Sequence, residues 1–173
     1  MANPAEEIVI AWLQECKGLF TMNNVKVPKA GGGSFEIDIL AANTGKSIWV
    51  EVSVSTDPRC NYLKDVRFEK TTNDFLKDFQ NKDKNSKVSE IFHGESYEKW
   101  LVYGKLPLTK EEQRKFPKTI AEKGVIAIHF GNIIDDLSKL KYYRLDSPRN
   151  YINLFKTFYN EMSALRTEGK GIG

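Results

Sequence analysis

The sequence predicts an α/β fold, a mixed central β-sheet flanked by helices, and three observations carry that expectation. Phe35 to Ser55 alternates apolar and polar residues on both sides of a turn, the pattern of a β-hairpin. Several segments repeat apolar residues at helical spacing, while Val125 to Phe130 (VIAIHF) is a short apolar run of the kind a sheet buries on both faces. The order that results is helix, three strands, helix, strand, helix, strand, helix. Such an order argues for a mixed sheet covered by helices on both sides.

The first helix is announced by Asn3 as N-cap, Pro4 at the first helical position and Glu6 three beyond the cap. Val9, Trp12, Leu13 and Cys16 give it an apolar stripe, and Gly18 marks its end. A strand from Thr21 to Val27 leads through Lys29-Ala30-Gly31-Gly32-Gly33, a flexible connection, into the hairpin. With the turn centred between Thr44 and Gly45, Ile37 opposes Val52, Ile39 opposes Val50 and Ala41 opposes Ile48 on one apolar face. The other face then sets Asp38 against Glu51 and Glu36 against Ser53. Directly opposed side chains are roughly 5 Å apart at Cβ. Two carboxylates that close do not both ionise without a proton or cation between them, so a divalent metal is the expected occupant.

Beyond the strand break at Asp57-Pro58, a second helix is expected over Asn61 to Phe79, with Phe68, Phe75, Leu76 and Phe79 turned inward. Lys64, Arg67 and Lys70 recur every three residues along one side of it, as either a solvated face or a basic ridge. Gln80 to Ser89 reads as a lysine-rich loop and Lys99 to Leu106 as a strand. Thr109 with Glu112 forms a capping box that opens a third helix, which passes Phe116-Pro117 only with a kink. Ser147-Pro148 starts a last helix striped by Ile152, Phe155, Tyr159 and Met162 and widened by Leu154, Phe158 and Leu165. That stripe is wide enough to bury against a second copy, so a homodimer through the C-terminal helix is one expected assembly. The reading is one domain over residues 1–166 with a disordered tail over 167–173.

Composition agrees with one ordinary domain: 173 residues, 40% hydrophobic and 28% charged. No apolar run approaches the about 18 residues of a membrane span, and no secretory signal opens the chain, so the expectation is a cytoplasmic protein without a membrane partner. Cys16 and Cys60 have neither metal-ligand spacing nor a disulfide framework. The net charge of +3 permits nucleic-acid binding without demanding it.

The order of elements, together with Asp38 in FEIDILA and Glu51 in WVEVSVS, resembles the PD-(D/E)xK restriction-endonuclease-like superfamily. The resemblance runs from about Asn3 to Phe130 and is nearest to the small members around Holliday-junction resolvases. It implies Mg²⁺- or Mn²⁺-dependent hydrolysis of DNA phosphodiester bonds, with the metal held by Asp38, Glu51 and the backbone carbonyl of Val52. Oxygen-only ligands suit those hard cations. The metal lowers the pKa of an attacking water and neutralises phosphate charge. The family's lysine position holds Ser53, which supplies no positive charge.

Either metal alone drives slow chemistry, a nearby cation replaces the lysine, or activity is lost and the chain is a binding or scaffold module that keeps the nuclease fold. Lys64, Arg67 and Lys70 are the candidate replacement cations and DNA-binding residues. Glu6 is the candidate supporting acid, with a plain capping role as its alternative. His93, in an expected loop, and His129, in the VIAIHF strand, stay outside this chemistry, and the Gly31-Gly32-Gly33 run lacks the following helix that a phosphate-binding loop needs.

Overall fold

The computed structural model of the chain describes residues 3–29, 31–56 and 67–140. Five strands form one sheet in the order β1-β2-β3-β4-β5: β1 (Phe20–Pro28), β2 (Ser34–Asn43), β3 (Ile48–Ser55), β4 (Glu98–Tyr103) and β5 (Val125–His129). β1 to β3 form an antiparallel meander, and β4 and β5 continue from β3 in parallel. Parallel neighbours need crossovers. The first of these carries α2 (Arg67–Gln80) and α3 (Lys82–Ile91), and the second carries α4 (Lys110–Ala121). With α1 (Pro4–Glu15) and α5 (Phe130–Ser138) the result is a mixed five-stranded sheet flanked by helices.

Side-chain alternation divides the core in two. On the first face, Ile39, Ala41, Val50, Val52 and Val102 pack with Ile8, Val9, Trp12 and Leu13 of α1 and Ile133, Ile134 and Leu137 of α5. On the second, Leu101, Tyr103 and Val125 pack with Leu76 and Phe79 of α2 and Phe116 and Ile120 of α4, while Leu40 meets Val88 and Phe92 from α3. The signals read for α1 are in place: the Asn3 side chain accepts from the Ala5 amide and donates to Glu6, and Pro4 is the first helical residue. The Thr109–Glu112 capping box opens α4 as expected. α4 runs through Pro117 to Ala121, held by the complete burial of Phe116 and Ile120.

The hairpin register differs from the expected one by two residues. Ile39 pairs with Val52, Ala41 with Val50 and Asn43 with Ile48. The cause is the turn: the Asn43 side chain accepts from the Lys46 amide, Thr44–Lys46 closes a 3-10 turn, and Ser47 takes a left-handed φ of 49°. A two-residue shift returns every side chain to its own face, so the apolar assignment holds while the cross-strand partners change.

Three further expectations are corrected. Gln80 to Ser89 is no loop but the end of α2 and most of α3, because Asn81 caps Lys84 and Val88 is fully buried. VIAIHF is not buried on both faces: β5 is the edge strand among the described residues and Ile126 is 46% exposed. Its last residue, Phe130, begins α5, a helix that no sequence signal had marked. The expected C-terminal helix, its dimer stripe, the tail and Lys64 lie outside the described residues. No helix of the described residues is long and apolar enough to cross a membrane.

Candidate functional site

Asp38 and Glu51 share the second face of the sheet, but they are diagonal neighbours and not an opposed pair. In the observed register Glu51 faces Leu40, and Asp38 falls across from Ser53. A diagonal offset separates Cβ atoms by about 7–8 Å. The regular β2–β3 pairing ends at Ile39 and Val52, and there the Asp38 carboxylate takes over as acceptor. Its Oδ2 receives the Val54 amide at 2.7 Å and the Ser53 hydroxyl at 3.2 Å. Ser53, in the place where the resemblance expects lysine, therefore orients the first acid.

Glu51 is the more extreme of the two. It is 2% exposed, and its Oε2 has no hydrogen-bond partner among the described residues. Burial pushes its carboxyl up to about 7; the Lys84 and Lys99 ammonium groups pull it down, and Asp78 and Asp38 push it further up. Asp38 is raised as well, first by burial, against the opposing Val54 hydrogen bond and the Lys84 charge. Glu6 is raised by partial burial and by the fields of Asp38 and Glu36, while its hydrogen bond from Asn3 lowers it. It thus fills the capping role on α1 and also stands within electrostatic reach of Asp38.

The cations that act on the carboxylates are ones the sequence reading missed. Lys84, at the third position of α3, is 4% exposed and lies 3.6 Å from Asp78 of α2. Lys99 is the in-register neighbour of Glu51 on β4, and its ammonium donates to the Phe79 carbonyl at 2.9 Å and to Asn85 Oδ1 at 3.2 Å. The Phe79 carbonyl belongs to the last turn of α2, where a cation complements the helix dipole. Asn85 closes the network by donating to the same carbonyl at 3.1 Å and accepting from the Tyr97 hydroxyl at 3.4 Å. Two lysines thus stand beneath the α2–α3 junction, facing three carboxylates.

Of the expected replacements, the two described ones lie elsewhere. Arg67 donates to the Pro107 carbonyl at 3.1 Å, and its charge acts on Glu112. Lys70 is exposed on α2, and the main cations acting on Asp38 and Glu51 are Lys84 and, for Glu51, Lys99. Val52 turns its side chain into the first-face core, 1% exposed, which leaves its backbone carbonyl for any ligand role.

A signal for Lys84 did exist: with Asn81 as a cap, Lys84, Val88 and Phe92 follow at intervals of four, so the lysine belongs to the buried stripe. Among the described residues no three His, Cys, Asp or Glu side chains converge as a ready cation cage. Asp38 and Glu51 offer two carboxylates, a donor chemistry that fits a hard divalent ion completed by water.

No protein-family model and no curated protein matches the chain. A solved structure, the crystal structure of AF1548, a protein of unknown function, is similar at 17% identity with a TM-score of 0.43, over 82% of this chain and 73% of that one.

Proposed function

We propose that the chain is a Mg²⁺- or Mn²⁺-dependent nuclease of the restriction-endonuclease-like class, acting on DNA, with Asp38 and Glu51 as metal ligands and Lys84 in the role left vacant by Ser53. The observation that carries this reading is Glu51: a buried carboxylate with an unpartnered oxygen, beside a second carboxylate and a buried ammonium group. Buried charge is costly unless something binds it. Asp38, Glu51 and Asp78 against Lys84 and Lys99 leave one net negative charge when all are ionised. A divalent ion turns that into one net positive charge, the sign a phosphodiester requires.

In this scheme Asp38 is held in place by the Val54 amide and the Ser53 hydroxyl. The ion would be held by Asp38, by Glu51 in its ionised form and by the Val52 carbonyl, and would supply charge neutralisation and an activated water, while Lys84 is placed to stabilise charge on a transferring phosphoryl group. Glu6 supplies a further acid at the rim. Lys99, tied to the end of α2, keeps Glu51 from protonating completely near neutral pH.

Mn²⁺ titration by calorimetry, paired with cleavage assays on single-stranded and branched DNA, tests the proposal. Wild type should bind Mn²⁺ at or below millimolar levels, Asp38→Asn and Glu51→Gln should abolish binding, and Lys84→Ala should retain binding while losing cleavage at least tenfold. Because the metal competes with the Glu51 proton, affinity should fall up to tenfold per pH unit below about 7. Ser53→Lys should lower cleavage, since it removes the Asp38 hydrogen bond and adds a second cation where Lys84 already acts. Absence of Mn²⁺ binding at every pH would sink the nuclease reading.

A second reading is a non-catalytic module that retains the fold, favoured by Ser53 itself, which offers Asp38 a hydrogen bond and no charge. Metal binding without cleavage of any DNA form would decide for it.

A further inference from the structure

The carboxyl ends of β4 and β5 open onto a cavity of about 430 Å³, lined by Tyr103, Gly104, Lys105, Leu106, Gln113 and His129. Ser55, Tyr103 and His129 align across β3, β4 and β5 on the same face as Glu51, four residues further along. At strand rise that is about 13 Å, so the cavity is separate from the carboxylate cluster. Crevices outside the carboxyl ends of parallel strands are where open α/β sheets bind ligands.

The chain is built around this space. Gly104 donates its amide to the Ser55 carbonyl at 3.3 Å and passes so close to Thr56 that a Cβ there would lie 2.5 Å from the Thr56 oxygen. Glycine at 104 thus lets the chain turn over the cavity. His129 caps α5: its Nδ1 accepts the Gly131 amide at 3.1 Å, which leaves Nε2 as the ring nitrogen available to donate. Gln113 spends its amide nitrogen on the carbonyls of Leu106 and Leu108, at 3.2 and 2.8 Å.

Tyr103 is 8% exposed and lines the cavity, and among the described residues nothing hydrogen-bonds its hydroxyl. Its ring is fixed edge-on by Phe116 at 5.0 Å and by His129 at 5.4 Å, so the hydroxyl is rigidly held. Among the described residues the lining therefore offers an ammonium, a phenol, an imidazole N–H and the amino-terminal end of a helix, with no carboxylate.

We infer that this cavity binds the phosphoryl group of a phosphate ester, with Lys105 as counter-charge and the Tyr103 hydroxyl and His129 Nε2 as fixed donors. Among the described lining residues, donors with one cation and no acid select an anion, and the dipole of α5 adds to them. The volume falls within the range of small-ligand sites, with room for more than an inorganic ion. A free mononucleotide and a phosphorylated strand end present the same group. The inference does not depend on the metal site or on nuclease activity.

The test is calorimetric titration of the full chain in EDTA with inorganic phosphate, a mononucleotide, and one short DNA oligonucleotide with and without a 5′-phosphate. Binding of a phosphate-bearing probe should weaken about tenfold in Lys105→Ala and about fivefold in Tyr103→Phe. Tyr103→Phe removes a hydroxyl with no described protein partner, so its thermal midpoint should stay at the wild-type value. A phosphorylated oligonucleotide that outbinds its unphosphorylated twin identifies a strand end as the source, and a mononucleotide that outbinds both identifies the free ester. The EDTA withholds any divalent ion throughout, which keeps this outcome distinct from the fate of the metal site. The inference is overturned when no probe distinguishes wild type from the Lys105→Ala, Tyr103→Phe double variant.

Discussion

The two faces of the sheet solve burial in opposite ways. The first face meets α1 and α5 through a core of aliphatic and aromatic side chains, from Ile8 and Leu13 through Val50 and Val52 to Ile133 and Leu137, with Trp12 donating to Asp136 at 3.1 Å between the two helices. The second face is apolar at its β4–β5 side, under α2 and α4, but beneath the α2–α3 junction it buries Glu51 and Lys84 and half-buries Asp38 and Lys99. Apolar burial stabilises by roughly 25 cal/mol per Å² whatever the pH, whereas buried charges stabilise only while their partners stay ionised and in place. The contrast separates what the fold needs from what a site needs. Nothing in the packing of β2 and β3 requires an acid at 38 or 51, since the same alternation filled with Val or Thr would build the same hairpin.

The largest expected effect comes from the apolar core of the first face. Leu13→Ala removes a completely buried side chain from the α1 stripe and should cost about 2–5 kcal/mol, by transfer and cavity together. Denaturant midpoints at pH 5 and pH 8 should fall by the same amount. A strong pH dependence of that loss would break the comparison, because it would tie the apolar face to the titrating groups.

Lys84→Met should cost about 3 kcal/mol at pH 8, where it leaves Asp38 and Glu51 without their shared cation. At pH 5 the loss should shrink, since Glu51 is then protonated and needs no counter-charge. Equal losses at the two pH values would mean that Lys84 serves mainly through its aliphatic stem, packed beside Val88.

That lysine also marks where the sequence was legible and where it was not. Period-two alternation gave the faces of β2 and β3, and the faces survive a two-residue slip. Register could not be read, because it was fixed by the Asn43 side chain and the left-handed Ser47 in a turn without a standard hairpin signature. Asp38 and Glu51 were therefore found on the correct face in the wrong pairing. The three-residue spacing of Lys64, Arg67 and Lys70 is the more visible basic pattern in the sequence. The Asn81–Ser89 segment, KDKNSK within it, was too polar to suggest a buried stripe. Its helix forms because tertiary burial of Val88 and Phe92 outweighs weak local propensity. α5 escaped for a related reason: its cap is a histidine, outside the usual Ser, Thr, Asp and Asn set.

Glu51→Gln should move stability in the opposite direction. The folded pKa of about 7 lies above the ordinary 4.5, so the folded state holds the proton more tightly than the unfolded chain. The stabilisation tied to the protonated form is complete below about pH 4.5, declines between 4.5 and 7 and is absent above that window. A neutral glutamine escapes the decline, so above pH 7 the variant should be more stable than metal-free wild type by up to about 3 kcal/mol. Thermal melts from pH 5 to 8 in EDTA check this. Saturating Mn²⁺ should reverse the ranking, because it stabilises only the protein that can bind it. A variant less stable than wild type at pH 8 in EDTA would show that ionised Glu51 is well paired and in no need of a further cation.

The smallest expected effect belongs to Ser53. Ser53→Ala deletes the 3.2 Å hydrogen bond to Asp38 but leaves the 2.7 Å bond from the Val54 amide, so the carboxylate keeps its stronger anchor. The stability loss should be about 1 kcal/mol at pH 8. The hydroxyl lowers the Asp38 pKa, so its removal should raise that pKa further, and Mn²⁺ affinity should drop more at acid pH than at pH 8. This pattern separates an orienting serine from a vacant lysine position. An orienting hydroxyl predicts a loss greater at low pH, where the Asp38 proton competes with the metal. Were the serine a mere remnant, alanine would bind Mn²⁺ as wild type does at both pH values, and the hydrogen bond that joins the second face's acid to its strand would carry no functional weight.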